Sequence, residues 1–108
     1  MATSTIKHST AFDLILGNDV ETTGTLTKDI NIYDFLILVC SGTGGAQFTS
    51  TIIPKSHYNK DVYADVYQSQ SVYAYGTIKV NDTTITVTTR DHAGWSGFKV
   101  RNVYGVKL

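Results

Sequence analysis

The sequence predicts an all-β fold, an antiparallel β-sandwich of jelly-roll-like form with a closed β-barrel as the alternative, and three observations carry that expectation. Thr, Val, Ile and Tyr are abundant while Glu, Leu, Met and Ala are sparse, and β-branched and aromatic side chains suit a pleated, half-buried surface better than a helix. Apolar residues alternate in several short runs, and no stretch holds a helical period for three turns. Gly and Asn/Asp clusters separate those runs at close spacing, as in a many-stranded antiparallel domain. A chain of 108 residues supplies one hydrophobic core and not two, so 1–108 is expected to be a single domain, with the polar stretch Met1 to Thr10 as a loose leader.

Taken in order, Phe12 to Leu16 forms a first strand that stops at Gly17-Asn18-Asp19. Val20 to Lys28 is Thr-rich with Gly24 in its middle, the pattern of an extended edge segment with a bulge or bend. From Asp29 to Cys40 the chain is apolar on both faces: Phe35, Ile37 and Val39 point one way, Leu36, Leu38 and Cys40 the other. A two-layer sandwich has one interior, so the second face needs cover from a neighbouring subunit or from a loop of the same chain. The subunit is the simpler candidate, and Leu36, Leu38 and Cys40 are the expected oligomer interface. Ser41 to Ala46 is a Gly-rich connection without the Lys-Ser or Lys-Thr pair of a phosphate-binding loop.

Phe48 to Ile53 is a strand closed by Pro54, and Lys55 to Asp61 a polar loop. Val62 to Gln68 alternates Val62, Ala64 and Val66 with Tyr63, Asp65 and Tyr67, and turns back into Val72 to Val80. Asn81-Asp82 suits a tight hairpin turn, and Thr84 to Arg90 places Ile85 and Val87 inward. The last strand runs from Phe98 to the C-terminus with Phe98, Val100, Tyr104, Val106 and Leu108 on one face and a bulge near Asn102.

Several function classes are disfavoured by composition. Nine basic and nine acidic side chains balance to a net charge of zero, which offers nothing to a nucleic-acid backbone. The longest apolar run, Phe35 to Cys40, is far shorter than the ~20 residues of a spanning helix, and no export signal precedes it. The lone Cys40 sits in a core-like strand and is expected to be an inert thiol. The three histidines, His8, His57 and His92, share no metal-binding spacing. Asp91, His92 and Ser96 are near neighbours in sequence, yet adjacent strand residues point apart, so no triad is expected. The chain is read as no enzyme, with no cofactor and no metal.

The aromatic residues are the better lead. Tyr58, Tyr63, Tyr67, Tyr73, Tyr75 and Trp95 fall in loops or at outward strand positions with short polar residues among them. Flat rings beside hydrogen-bonding groups suit a pyranose, although tyrosines also pack cores and interfaces. The glycan-binding set proposed from this pattern is Tyr58, Tyr63, Asp65, Tyr67, Tyr73 and Trp95.

Three strings resemble a domain found at the C-terminus of bacteriophage tail fibres, tailspikes and baseplate proteins. They are Leu16-Gly17-Asn18 with Gly24-Thr25-Leu26 and Ile32 to Leu36, then Ile53-Pro54, then Val103-Tyr104-Gly105-Val106-Lys107. The family often has Trp where this chain has Ile15 or Leu16. The resemblance implies a β-sandwich that forms a homotrimer on a virion tail appendage, beside other virion tail proteins, and that serves assembly or binds a host cell-surface polysaccharide. It implies synthesis in the host cytoplasm without a signal peptide, and it supplies no set of binding residues. A purely structural trimerisation or decoration domain is the competing expectation, and a polysaccharide-degrading enzyme a third.

Overall fold

The computed structural model describes residues 11–108, so the expected leader, Met1 to Thr10, lies outside the described residues. The described residues hold eight strands: β1 (Ala11–Leu16), β2 (Thr23–Thr25), β3 (Phe35–Gly42), β4 (Phe48–Pro54), β5 (Val62–Ser69), β6 (Val72–Asn81), β7 (Thr84–Ala93) and β8 (Phe98–Lys107). The only helical pieces among the described residues are single 3₁₀ turns, Ile30–Ile32 and Lys55–His57. The strands form two four-stranded antiparallel sheets, ordered β1-β8-β3-β4 and β2-β7-β6-β5. This is the expected sandwich, and the sheets do not close into a barrel. Its jelly-roll likeness lies in the pairs β1–β8 and β2–β7, whereas β3–β4 and β5–β6–β7 are simple hairpins.

Alternation places the core. Leu36, Leu38, Cys40, Val100, Val103 and Ile53 of the first sheet meet Ala64, Val66, Ile78, Val80, Ile85 and Val87 of the second, all buried in one cluster. The turns behave as their residues dictate. Asp82 takes φ 52° between β6 and β7, a left-handed conformation that Asp tolerates. Asp29 caps the first 3₁₀ turn by accepting from the Asn31 N–H at 2.9 Å. The short β2 pairs only with β7 and is an edge, as the Thr-rich segment suggested.

The structure corrects two assignments of face. Leu36, Leu38 and Cys40, the expected oligomer interface, are fully buried inside the sandwich and line no surface. Their partners in register explain why: Leu36 lies between Gly105 and Ile53, Leu38 between Val103 and Thr51, and these rows look toward the second sheet. It is Phe35, Ile37 and Val39 that face outward, each half-buried. The second correction concerns β8. Val39 pairs with Asn102 but Cys40 with Val100, so Arg101 is an extra residue and the bulge reverses the alternation. Phe98, Val100 and Val103 point in, whereas Tyr104 lies on the outer side opposite Ile37, and Val106, opposite Phe35 in the same register, is covered by its neighbours and only 6% exposed.

The outer face of the first sheet is consequently apolar. One row runs Phe12, Val106, Phe35, Pro54 and the next Leu14, Tyr104, Ile37, Ile52. The Phe12 ring stacks on Tyr104 with centroids 5.1 Å apart. At one end of the face the Arg101 guanidinium covers the Phe48 ring at 4.9 Å.

The three strings behind the family resemblance include segments that meet at one end of the sandwich. Tyr33 is buried with its ring flat against Gly105, where a Cβ would come within about 2.5 Å of the ring atoms. Its hydroxyl donates to Asp13 Oδ2 at 2.6 Å. The Asp34 N–H donates to the Val106 carbonyl at 2.8 Å, and the Lys55 N–H to the Asp34 carbonyl at 3.1 Å. The Tyr-Asp pair, the Tyr-Gly pair and the residue after Pro54 are therefore bound into one packing unit.

Candidate functional site on the second sheet

The outer face of the second sheet is built from the β5–β6–β7 meander. Val62, Ala64 and Val66 go inward with Ala74, Ile78 and Val80, which leaves Tyr63, Asp65, Tyr67, Tyr73 and Tyr75 on the outside. Pairing sets them in rows: Tyr67 opposite Tyr73, Asp65 opposite Tyr75, and Tyr63 opposite Thr77. A bulge at Arg90 then brings Asp91 opposite Tyr75, so the central row reads Asp65, Tyr75, Asp91. Two carboxylates thus flank one ring on a face of four tyrosines.

The rings are presented to solvent and partly held. Tyr63 and Tyr67 are 72% and 61% exposed, Tyr75 38%. Tyr73 and Tyr75 lie nearly parallel, 18° between ring planes and 6.5 Å between centroids. The Tyr73 hydroxyl donates to Asp91 Oδ2 at 3.0 Å, and this bond to a carboxylate raises the phenol's pKa above its ordinary value. Asp91 Oδ1 is also engaged, accepting from the His92 N–H at 2.9 Å. Between Tyr63, Asp65 and Tyr75, with Ala64 below, lies an open depression of about 360 Å³. It is lined by two tyrosines and one carboxylate, groups able to stack on a sugar ring and accept from its hydroxyls.

The structure gathers four of the six proposed glycan residues, Tyr63, Asp65, Tyr67 and Tyr73, and sends two elsewhere. Tyr58 follows the second 3₁₀ turn, packs against the core and donates its hydroxyl to the Tyr33 carbonyl at 3.1 Å. Burial, with Asp34 nearby, pushes its pKa up to about 12. Trp95 lies over the Gly-rich connection, where a Cβ at Gly42 would overlap the indole and one at Gly45 would come within 2.7 Å. That connection is thus a tight turn under an aromatic lid, closed by the Gly45 N–H donating to the Gly42 carbonyl at 3.0 Å. Both residues are used for packing away from the tyrosine face. Sequence reasoning left Tyr75 out of its narrower set and gave Asp91 no place in it. The β6–β7 register that makes them neighbours depends on the Arg90 bulge, which nothing in the local pattern signals.

The other chemistry-bearing groups are engaged separately. His92 Nδ1 lies 2.6 Å from the Trp95 carbonyl, so Asp91, His92 and Ser96 form no relay. Cys40 is buried, which pushes its thiol up to about 12. Among the described residues no three His, Cys, Asp or Glu side chains converge as metal ligands, and no helix is long and apolar enough to cross a membrane. No protein-family model and no curated protein matches the chain.

Proposed function

We propose that this chain is a glycan-recognising domain of a bacteriophage tail appendage, acting as a homotrimer beside other virion tail proteins and binding a host cell-surface polysaccharide. The observation that carries the reading is the face of Tyr63, Tyr67, Tyr73 and Tyr75 around Asp65 and Asp91, with an open depression at Tyr63, Asp65 and Tyr75. Exposed rings cost little to hold there, because each sits on a strand whose opposite side chains are locked in the core. The resemblance to phage tail domains supplies the setting, and the packing of Tyr33 on Gly105 gives its sequence strings a structural meaning.

A panel of bacterial surface polysaccharides tests the reading. Binding that weakens at least tenfold in Tyr63→Ala and Tyr75→Ala, about 1.4 kcal/mol, with unchanged thermal midpoints, supports it. A blank panel, or binding indifferent to both substitutions, removes it.

A second reading, a purely structural trimerisation or decoration domain, is favoured by the apolar outer face of the first sheet. It predicts a blank panel together with an intact oligomer.

A further inference from the structure

We infer that the depression between Tyr63, Asp65 and Tyr75 takes a cationic sugar, a glycan residue with a free amino group, its ammonium set on Asp65 and its ring on the tyrosines. The inference deepens the glycan reading above and rests on it for the class of macromolecule. What carries it is the donor and acceptor content of the site. The depression is lined by Tyr63, Ala64, Asp65 and Tyr75, so apart from two phenols no lining side chain donates a hydrogen bond, and the one ionic group is an acceptor. A sugar carboxylate would meet Asp65 as a like charge, and an acetamido carbonyl would find no side-chain N–H. An ammonium brings three donors and no acceptor, and a carboxylate beside aromatic rings attracts it.

Asp65 is also uncommitted. Among the described residues it joins no ion pair and no side-chain hydrogen bond, whereas both oxygens of Asp91 are engaged, by the Tyr73 hydroxyl and the His92 N–H. Register sets Asp65 and Asp91 on either side of Tyr75, about two strand spacings or ~10 Å apart, so the ring between them lies in the field of both. The permanent cations on the strands of this sheet are Lys79 and Arg90. Arg90, the extra residue of the β7 bulge, pairs with neither carboxylate among the described residues, and counting it leaves two carboxylates against one guanidinium. Lys79 stands four residues from Tyr75 along β6, ~13 Å, beyond the ~8 Å screening length of physiological salt. The volume of about 360 Å³ is near the lower end of small-ligand sites, ~300–1,000 Å³, and suits a short stretch of glycan.

Titration of the full chain at about pH 6, where such amines are protonated, with an oligomer of glucosamine and with the same oligomer N-acetylated tests this, because the two share a backbone and differ in charge. The expected result is binding of the amino form at least tenfold tighter than the acetylated form. That preference is expected to shrink to about twofold or less in Asp65→Asn and to fall as salt rises, with both forms weakened in Tyr63→Ala. Both positions are exposed, and unchanged thermal midpoints show that each variant is folded. Equal binding of the two forms, tighter binding of the acetylated one, binding of neither, or a preference unchanged in Asp65→Asn overturns the inference. A neutral or acidic polysaccharide bound through Tyr63 and Tyr75 would then leave the glycan reading standing alone. Oligolysine bound as tightly as the amino oligomer would mean that charge alone is read, and it overturns the assignment to a sugar.

Discussion

Tyr33 links residues distant in sequence: its ring lies on Gly105, its carbonyl accepts from Tyr58 and its hydroxyl is bound to Asp13. That hydroxyl, with Lys28 at 3.3 Å, holds the Asp13 carboxyl below its ordinary value of 3.8. A carboxyl lowered in the folded state contributes stability that is present above 3.8 and lost as pH falls through the lower folded value. The phenol shows the opposite sign, because burial first and Asp13 second raise Tyr33 from 10.0 to about 12. Its contribution is complete below 10.0 and lost as pH rises toward 12. Tyr33→Phe is expected to lower the urea midpoint at neutral pH and to flatten both limbs of the stability profile. The acid limb keeps a remnant from Lys28 and the alkaline limb one from Tyr58, which is also raised to about 12. Urea melts across the pH range check this, and unchanged limbs would show that the Tyr33–Asp13 bond contributes no linkage.

Among the elements, the β3–β4 turn and the bulged β8 decide most. Trp95 arrives from the β7–β8 connection and covers Gly42 and Gly45, so two distant connections are held as one end of the sandwich. Trp95→Ala is expected to cost about 3 kcal/mol, the low end for deleting a large aromatic because the indole is only half-buried. Polysaccharide binding, measured well below the unfolding midpoint, is expected to survive the substitution. Denaturant titration gives the first quantity and a polysaccharide titration the second. Loss of binding with full stability would return Trp95 to the ligand site. In β8 one extra residue, Arg101, turns a strand that would bury Tyr104 into one that puts it on the outer face. The apolar outer face depends on that bulge.

At the scale of the molecule, two sheets give two outer faces of different chemistry, apolar on β1-β8-β3-β4 and tyrosine-rich on β2-β7-β6-β5. Because the core separates them, substitutions on one are expected to leave the other unchanged. Leu14→Lys, on the apolar face, is expected to leave polysaccharide binding unchanged, whereas Tyr75→Ala, on the tyrosine face, is expected to weaken it at least tenfold. Titration of both variants with one polysaccharide checks this. Equal weakening by both would mean that the faces are coupled.

Alternation in the sequence sufficed for the all-β class, most strand positions, the Asn81-Asp82 turn and the two-faced character of β3, because side-chain period and turn chemistry are local properties. It also placed Tyr63, Asp65 and Tyr67 together, since they alternate on a single strand. Which face of β3 looks inward is not local: it is set by pairing with β8 and β4 across more than fifty residues on one side, and alternation is symmetric under exchange of faces. The same holds for the outward turn of Tyr104, for the meeting of Asp91 with Tyr75, and for the packing of Tyr58 and Trp95 away from the tyrosine face. Each depends on a bulge or a long-range contact, and only the tertiary structure, in which one shifted residue reverses every side chain beyond it, decided them.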